Sequence, residues 1–360
     1  MQPLINGDQA YPAMIEAIQQ AKHSVALLSY IFDSDQAGDL FFDALVAAHH
    51  RGVQVRVLVD DVGSRYSRPN MVGRLKKAGL HATTFLPTYI PRLPKYANLR
   101  NHRKILVVDG KIGFTGGTNI RDGHWLSAQP SHPVECLHFR VEGPVVEHLQ
   151  QVFSMDWAFA TEDQLTGELW FPDLQRAGDV WARGIADGPD EDFENLSNLL
   201  AGALASATRQ VRIVTPYFLP NSGLIQALNV AAMRGIDVEI YIPSRTNIRL
   251  VQWACNSQLW QILEKGCRVF HTAPPFDHTK LMVVDDSWVL IGSTNWDDRS
   301  LRLNFEFNVE CYNTDLALEV NKLIDGKAEK AHQVTLEEIN QRKFAERLRD
   351  GLARLFSPYL

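Results

Sequence analysis

Apolar and polar positions along this chain follow two alternating patterns, which predict strands and helices in turn. Residues 24–30 and 53–59 are short apolar runs typical of strands, and residues 39–50 between them have the apolar spacing of a helix. The same order of patterns returns in residues 210–242, and a further helical pattern covers residues 249–265. Strands that alternate with helices predict an α/β sheet.

A second pair of apolar runs, residues 105–108 and residues 281–284, is continuous rather than alternating. Such runs are typical of strands buried on both faces of an α/β sheet. A histidine and a lysine two positions apart precede each run: His102, Lys104, His278 and Lys280. Because positions i and i+2 of a strand share a face, we expect each histidine and its lysine to point the same way.

Each histidine opens the pattern HxKxxxxD, which ends at Asp109 in the first copy and at Asp285 in the second. A Gly-x-Thr-Asn follows at the same distance each time and ends at Asn119 and Asn295. One copy would be weak evidence, because short motifs occur by chance. Two copies in matched register predict one site made of two halves, each contributing a His, a Lys and an Asn. We assign the two aspartates a structural role at the ends of their strands.

The length of 360 residues, 45% of them hydrophobic, suits about two ordinary domains. Residues 186–192 combine Gly-Pro with acidic residues and predict a turn or linker. We place the boundary slightly before this segment. Residues 1–175 then form the first domain, with His102 and Lys104, and residues 176–360 form the second, with His278, Lys280 and a C-terminal helix.

The composition excludes several classes of protein. The four cysteines lack the spacing of a zinc site or a disulfide framework, so we expect neither a metal nor another cofactor. The net charge of -6 argues against a main role in coating nucleic acid, and we expect no nucleic-acid partner. With no signal-peptide pattern and no bilayer-spanning stretch, we expect a cytoplasmic protein in a reducing compartment, or one lying on a membrane surface.

Positive charge is nevertheless concentrated around the first motif. These basic residues form either a solvated loop or an electrostatic funnel that attracts an anionic substrate. The residues concerned are Arg92, Lys95, Arg100, Arg103, Lys104 and Lys111.

Two segments have the composition of membrane-contacting surfaces. Residues 85–96 mix aromatic, proline and basic residues, as in a loop that dips into a headgroup layer or in an ordinary packed loop. Near the C-terminus, Phe344, Leu348, Leu352 and Leu355 form an apolar helical stripe beside basic residues. For this stripe we favour packing on its own domain over membrane contact.

The doubled set of two imidazoles, two ammonium groups and two amides suits an anionic substrate, which we interpret as a phosphodiester. One histidine can attack phosphorus while the other protonates the leaving alkoxide, and an incoming hydroxyl then resolves the phosphohistidine. Lysines and asparagines on the nonbridging oxygens supply electrostatic stabilisation without a metal ion. The residues alone leave open which histidine is the nucleophile.

With these motifs the chain resembles the phospholipase D superfamily, and within it the bacterial cardiolipin synthases that lack an N-terminal transmembrane segment. The likeness rests on both HxKxxxxD motifs and on residues 101–104, 113–120, 215–220 and 292–306, and it covers almost the whole chain. It implies two phospholipase D-type α/β/α sandwich domains related by a pseudo-twofold axis, with the active site at their interface.

The resemblance also implies an activity and roles. The activity is that of a phosphatidyltransferase that makes cardiolipin from phosphatidylglycerol or a related donor. The enzyme is then peripheral on the inner face of the cell membrane, with an anionic phospholipid as its substrate. His102 becomes the nucleophile and His278 the acid and then the base. Glu306 matches the acidic residue that orients a motif histidine, and we assign it to the second copy. In the first copy Cys136 stands where the family usually has an Asp, so the sequence identifies no orienting carboxylate for His102.

The catalytic set expected from motif and resemblance is His102, Lys104, Asn119, His278, Lys280, Asn295 and Glu306. Three alternatives stay open. They are a phospholipase D that hydrolyses or transphosphatidylates, a nuclease of the same superfamily, and a noncatalytic lipid-binding protein.

Overall fold

The computed structural model of the protein describes residues 1–87 and 98–357. Most of the loop at residues 85–96 therefore lies outside the described residues, as do Arg92 and Lys95. The chain divides into two compact units, Met1–Gly184 with Phe305–Asn308, and Ile185–Asn304 with Val309–Leu360. The division thus follows Gly184, whereas the sequence places the domain boundary near residue 175.

The first unit is built on a seven-stranded sheet. The strands in this part of the chain are β1 (Gln2–Ile5), β2 (Ser24–Ser29), β3 (Gln54–Asp60), β4 (His81–Phe85), β5 (Arg100–Asn101), β6 (Ile105–Val108), β7 (Ile112–Gly116), β8 (Val134–Glu135) and β9 (Leu137–Glu142). The helices are α1 (Asn6–Gln20), α2 (Gln36–His50), α3 (Met71–Lys77) and α4 (Val145–Thr161). The order of strands in the sheet is β1-β9-β7-β6-β2-β3-β4.

The buried apolar runs of the sequence form the centre of this sheet. β2 is parallel to β3 and antiparallel to β6, with Val25 opposite Val108 and Leu28 opposite Ile105. The helix predicted at residues 39–50 is α2. It begins earlier, because the Asp35 carboxylate accepts a hydrogen bond from the Gly38 backbone N–H and caps the helix.

The second unit repeats this arrangement. The strands in this part of the chain are β10 (Trp181–Asp187), β11 (Gln210–Val214), β12 (Phe218–Leu219), β13 (Asp237–Pro243), β14 (Arg268–Thr272), β15 (Phe276–Asp277), β16 (Leu281–Val284), β17 (Trp288–Gly292), β18 (Trp296–Asp297), β19 (Asn304–Tyr312) and β20 (His332–Val334). Its helices are α5 (Asn195–Ser206), α6 (Ser222–Met233), α7 (Arg249–Asn256), α8 (Trp260–Leu263), α9 (Asp298–Arg302), α10 (Thr314–Ala328), α11 (Leu336–Asn340) and α12 (Phe344–Arg354).

The order of strands shows the internal repeat. The main sheet of the second unit runs β10-β19-β17-β16-β11-β13-β14-β20. Its block β19-β17-β16-β11-β13-β14 corresponds strand for strand to β9-β7-β6-β2-β3-β4 of the first unit. The two HxKxxxxD motifs therefore contain equivalent strands, β6 and β16, of two similar sheets, and each His-x-Lys directly precedes its strand. The α/β character expected from the sequence is confirmed.

The single helix predicted at residues 249–265 is wrong. Two shorter helices, α7 and α8, replace it. Between them the Gln258 N–H donates to the Cys255 carbonyl, three residues back, which tightens the chain out of α-helical geometry. Leu259 and Ile262 are both buried in the core of the unit. The apolar positions remain periodic across this break, so the sequence pattern did not reveal it.

Across residues 1–87 and 98–357, the helices are all too short or too polar to cross a bilayer.

Candidate active site

His102 is held by a carboxylate. Both oxygens of the buried Glu306 side chain lie 3.0 Å from His102 Nδ1. The His102 backbone N–H also donates to the Phe305 carbonyl, at 2.9 Å, and Arg103 Nε donates to the Glu306 carbonyl, at 3.0 Å. A carboxylate at Nδ1 favours the tautomer that carries its proton there and its lone pair on Nε2. The ring is therefore fixed in orientation and polarised.

This contact corrects the assignment of Glu306 to the second motif. Glu306 lies on β19, but the segment Phe305–Asn308 belongs to the first unit, where β5 pairs with β19 one residue before His102. The motif histidine that Glu306 touches is thus His102, although Glu306 follows the second motif in the sequence.

The histidines and lysines of the motifs do not lie on strands, so the predicted shared strand face is wrong. Residues 102–104 fall between β5 and β6, and residues 278–280 fall between β15 and β16. Each lysine instead folds back on its own histidine. Lys104 Nζ donates to the His102 carbonyl at 2.6 Å, and Lys280 Nζ donates to the His278 carbonyl at 2.7 Å. Both copies therefore have the same local geometry.

An aromatic ring stands beside each histidine. The centroid of the Tyr30 ring is 5.1 Å from that of His102, and Phe276 is 6.0 Å from His278. Lys104 Nζ also lies 5.7 Å from the centre of the Tyr30 ring, a distance at which a cation and an aromatic face attract each other. The Tyr30 ring thus contributes to the placement of both polar groups of the first motif.

The two asparagines are buried but have different partners. The Asn119 side-chain oxygen accepts a hydrogen bond from the Ile31 backbone N–H at 3.3 Å. The Asn295 side-chain nitrogen instead donates to Ser300 Oγ at 3.1 Å, and its buried Oδ1 has no hydrogen-bond partner within the described residues. The two amides, which the sequence predicts to be equivalent, are therefore held differently: Asn119 by its oxygen and Asn295 by its nitrogen.

The residue before each motif histidine, Asn101 or Asp277, fixes the backbone of the motif. Neither residue was identified from the sequence. Asn101 Oδ1 accepts from the Arg103 N–H at 3.2 Å, and Asp277 Oδ1 accepts from the Thr279 N–H at 3.0 Å. These are matched turns in which a short side chain bonds the backbone two residues on. The sequence feature that could have identified them is that Asn and Asp, which favour such turns, stand at the same position of both copies.

Asp277 is buried and paired with a cation. Burial alone would raise the pKa of this carboxyl, but the Lys327 ammonium, 2.8 Å away, and the hydrogen bonds from Thr279 together outweigh burial and hold the pKa below its ordinary value. Asp277 is therefore an anion that anchors the turn in front of His278.

Of the four basic residues that the structure describes beside the first motif, Lys111 is exposed, but the other three are not in a solvated loop. Arg100, Arg103 and Lys104 are all buried. The Arg103 guanidinium pairs with Asp156 at 2.6 Å and lies 5.4 Å from the centre of the Phe305 ring. Such a paired guanidinium is part of the framework, because removing either partner would leave a buried charge uncompensated.

The two motif aspartates bond the backbone of their own units, as the sequence predicts. The Asp109 carboxylate accepts from the N–H groups of three consecutive residues, 22–24. The Asp285 carboxylate likewise accepts from the backbone N–H groups of residues 208–210. Burial alone would raise the pKa of Asp285, but the hydrogen bonds from Gln210, Thr208 and Arg209 outweigh burial and lower the pKa. Each aspartate thus fixes the entry to β2 or β11.

Cys136 occupies a tightly bonded backbone position between β8 and β9. Its N–H donates to Asn6 Oδ1 at 2.9 Å, and its carbonyl accepts from the Asn6 N–H at 2.9 Å. The thiol is buried. The reciprocal bonds with Asn6 attach the start of β9 to the start of α1.

A further histidine, His138, lies beside the first motif and was not singled out from the sequence. It stands opposite Gly116 on β9, and a Cβ added at Gly116 would lie 3.0 Å from His138 Nδ1 and 2.8 Å from the Leu137 carbonyl oxygen. Burial and the nearby Lys104 cation lower the pKa of His138 to about 3. Neither ring nitrogen has a hydrogen-bond partner among the described residues. His138 is therefore uncharged at neutral pH, and its ring packs against the backbone of Gly116.

Comparison with known proteins gives concordant matches over nearly the whole chain. A family model described as "Cardiolipin synthase, PLD-like domain" matches residues 14–157 and 200–327. Cardiolipin synthase 2 of Staphylococcus epidermidis is 32% identical over 357 residues, which cover 99% of this chain and 73% of that protein. The major cardiolipin synthase ClsA of Bacillus subtilis is 34% identical over 360 residues, which cover 99% of this chain and 74% of that protein.

A solved structure supports the fold. The phosphatidylserine synthase of Haemophilus influenzae superimposes with a TM-score of 0.76, over 100% of this chain and 95% of that one, at 15% sequence identity. At this identity the match concerns the fold alone.

Proposed function

Because this chain belongs to the family of cardiolipin synthases with phospholipase D-like domains, we propose that it is a phosphatidyltransferase that makes cardiolipin from phosphatidylglycerol or a related donor. The observation that carries the chemistry is the contact of the Glu306 carboxylate with His102 Nδ1. This contact supports His102 as the nucleophile, because it places the lone pair on Nε2.

In the first step His102 Nε2 attacks the phosphorus of the donor. An N–P bond forms, the P–O bond to the headgroup glycerol breaks, and the glycerol oxygen takes a proton from His278. The Glu306 carboxylate stabilises the positive charge that develops on the His102 ring, as the buried aspartate does in a serine protease triad. The result is a phosphatidyl group on His102 and free glycerol.

In the second step His278 acts as the base. It takes the proton from a glycerol hydroxyl of a second phosphatidylglycerol, whose oxygen attacks phosphorus and breaks the N–P bond. Cardiolipin leaves, and both histidines return to their starting protonation states. Lys104, Lys280, Asn119 and Asn295 stabilise charge on the nonbridging phosphate oxygens.

The proposal includes one active site that uses the residues of both motifs, because each half supplies only part of the set. It also places the protein in the cytoplasm, peripheral on the inner face of the cell membrane, in contact with anionic phospholipid. The repeat of the same motif in equivalent positions of two sheets supports the first point. The lipid products after which the relatives are named support the second.

Product analysis tests this function. The purified protein is incubated in chelator with phosphatidylglycerol vesicles, and the lipids are identified by mass spectrometry. We expect cardiolipin and glycerol in equal amounts from the wild type and from His50→Ala, an exposed control on α2, and neither product from His102→Ala or His278→Ala.

Other outcomes would contradict the proposal in distinct ways. Phosphatidic acid in place of cardiolipin would identify a hydrolase, and cleavage of single-stranded DNA in chelator would identify a nuclease. Lipid binding without any product, and without an acid-labile adduct on His102, would identify a noncatalytic protein.

A further inference from the structure

The last helix of the described chain carries its apolar residues on one face. Phe344, Leu348 and Leu352 follow one another at intervals of four residues on α12, and Leu355 and Phe356, just beyond its end, continue the same side. We name these five residues the α12 stripe. The sequence favours packing of this stripe on its own domain.

The opposite face of α12 makes the contact with the unit. Ala353 is buried in a small cluster with Leu219 and Ala254. Asp350, which is fully buried, pairs with Arg342 and with Arg349. These contacts hold the helix by residues outside the stripe.

The α12 stripe itself faces away from the protein. Its five side chains are 53–80% exposed. The expected packing on its own domain is therefore wrong. Exposed apolar residues that occur singly are ordinary, but a contiguous row of five large ones is typical of an interaction surface.

Positive charge surrounds the stripe in a chain whose net charge is -6. Lys343, Arg347 and Arg354 are exposed along α12. The Arg349 guanidinium lies 4.6 Å from the centre of the Trp253 ring, and Trp253 also lines an open cavity of about 610 Å³. Two more arginines, Arg245 and Arg249, line the same cavity. The cationic surface therefore continues from α12 onto α7.

We propose that the α12 stripe and its cationic surround dock this protein on an anionic phospholipid bilayer, with α12 lying in the plane of the interface. An amphipathic helix with an apolar face and basic flanks binds such a surface by inserting the first and attracting lipid headgroups with the second. The inference deepens the proposed function, since it names the surface that brings the enzyme to its lipid, but membrane binding can be measured without the reaction.

Charge complementarity selects the bilayer over the other occupants. A second copy placed symmetrically on the stripe would bring Lys343, Arg347 and Arg354 of both copies together, where they repel each other. A nucleic acid would use the cations but leave the five apolar side chains in water. An anionic bilayer satisfies both parts of the surface at once.

Vesicle sedimentation of the full chain tests the proposal. With vesicles of one part phosphatidylglycerol to two parts phosphatidylcholine, we expect Leu348→Ser with Leu352→Ser to lower the partition coefficient about tenfold or more. Arg347→Glu with Arg354→Glu should lower it by a similar factor, and added salt should weaken wild-type binding. Met233→Ser, at an exposed apolar residue on α6, is the matched control and should bind as the wild type does.

Several results would overturn the proposal. One is binding of the stripe variant at the wild-type level. Another is equal wild-type binding to vesicles of phosphatidylcholine alone. A third is a shift from dimer to monomer in the stripe variant on size exclusion, which would identify a subunit interface. Because the stripe is exposed, its variants should unfold at the wild-type temperature, and a large decrease would show instead that it is packed.

Activity separates the two proposals. On monomeric short-chain phosphatidylglycerol the stripe variant should turn over at the wild-type rate, and on vesicles at least several-fold more slowly. Equal loss on both substrates would contradict docking through the stripe. Absence of turnover by the wild type on either substrate would contradict the proposed function and leave the binding result standing.

Discussion

Both carboxylate oxygens of Glu306 lie 3.0 Å from Nδ1 of His102, although 204 positions separate the two residues in the chain. The first motif is therefore completed by a residue that follows the second motif. The family resemblance identified Glu306 as an orienting residue, but its partner depended on the position of β19.

Glu306→Gln should impair the reaction without unfolding the protein. The amide can still contact the ring but cannot stabilise positive charge on it, and it can favour the wrong tautomer. We expect kcat to fall about 10²- to 10⁴-fold, measured as cardiolipin formed per folded protein. The matched control is Glu310→Gln on the same strand, where the side chain accepts from Trp288 and Tyr312 instead. Near-wild-type turnover of Glu306→Gln would refute the orienting role.

Asp109→Ala should act on stability rather than on chemistry. The carboxylate accepts three backbone N–H bonds at the entry to β2, and alanine leaves these donors without it. We expect the free energy of unfolding to fall by about 1–2 kcal/mol. Denaturant titration checks this value, and turnover per folded molecule should change less than about threefold. A loss of kcat comparable to that of His102→Ala would place Asp109 in the chemistry after all.

His138 should make the protein less stable in acid. Its pKa is lowered to about 3 in the folded protein, from an ordinary value of 6.5. Between these pH values the unfolded chain binds more protons at this residue than the folded one. The contribution of His138 to the free energy of unfolding is therefore fully present above pH 6.5 and is lost as the pH is lowered. The loss from this group reaches at most about 1.4 kcal/mol per pH unit.

The comparison of wild type with His138→Phe isolates this effect. Burial raises the pKa of Asp60 to about 6 against weaker opposing hydrogen bonds, so Asp60 changes stability in the opposite direction over part of the same range. We therefore measure the free energy of unfolding of both proteins at pH 7 and pH 5. The decrease should be smaller in the variant, and equal decreases would contradict the prediction.

Gly116→Ala should be far more harmful than an alanine at another glycine with positive φ. Gly116 has a φ of 145°, and the added Cβ would lie 2.8 Å from the Leu137 carbonyl oxygen. Gly52 has a φ of 90° and open space around it, so Gly52→Ala has only the conformational cost, about 1 kcal/mol. We expect Gly116→Ala to cost at least about 3 kcal/mol in denaturant titration, because backbone must move as well. Equal costs would show that β7 and β9 separate readily at this point.

Local pattern was sufficient for much of this protein. The apolar runs predicted β2, β6 and β16, and the repeat of HxKxxxxD predicted two units of similar construction. The structural role of Asp109 and Asp285 was also predictable. These features depend on residues that are neighbours in the chain, so the spacing of side chains records them directly.

Long-range packing decided the rest. The contact of Glu306 with His102, the different partners of Asn119 and Asn295, and the seat of His138 over Gly116 all join separate segments. The outward face of α12 is a further case, because an amphipathic pattern shows that two faces differ but not which one meets the protein. Periodicity follows from the geometry of one segment, whereas the partner of a side chain follows from where other segments pack, and one sequence does not record that.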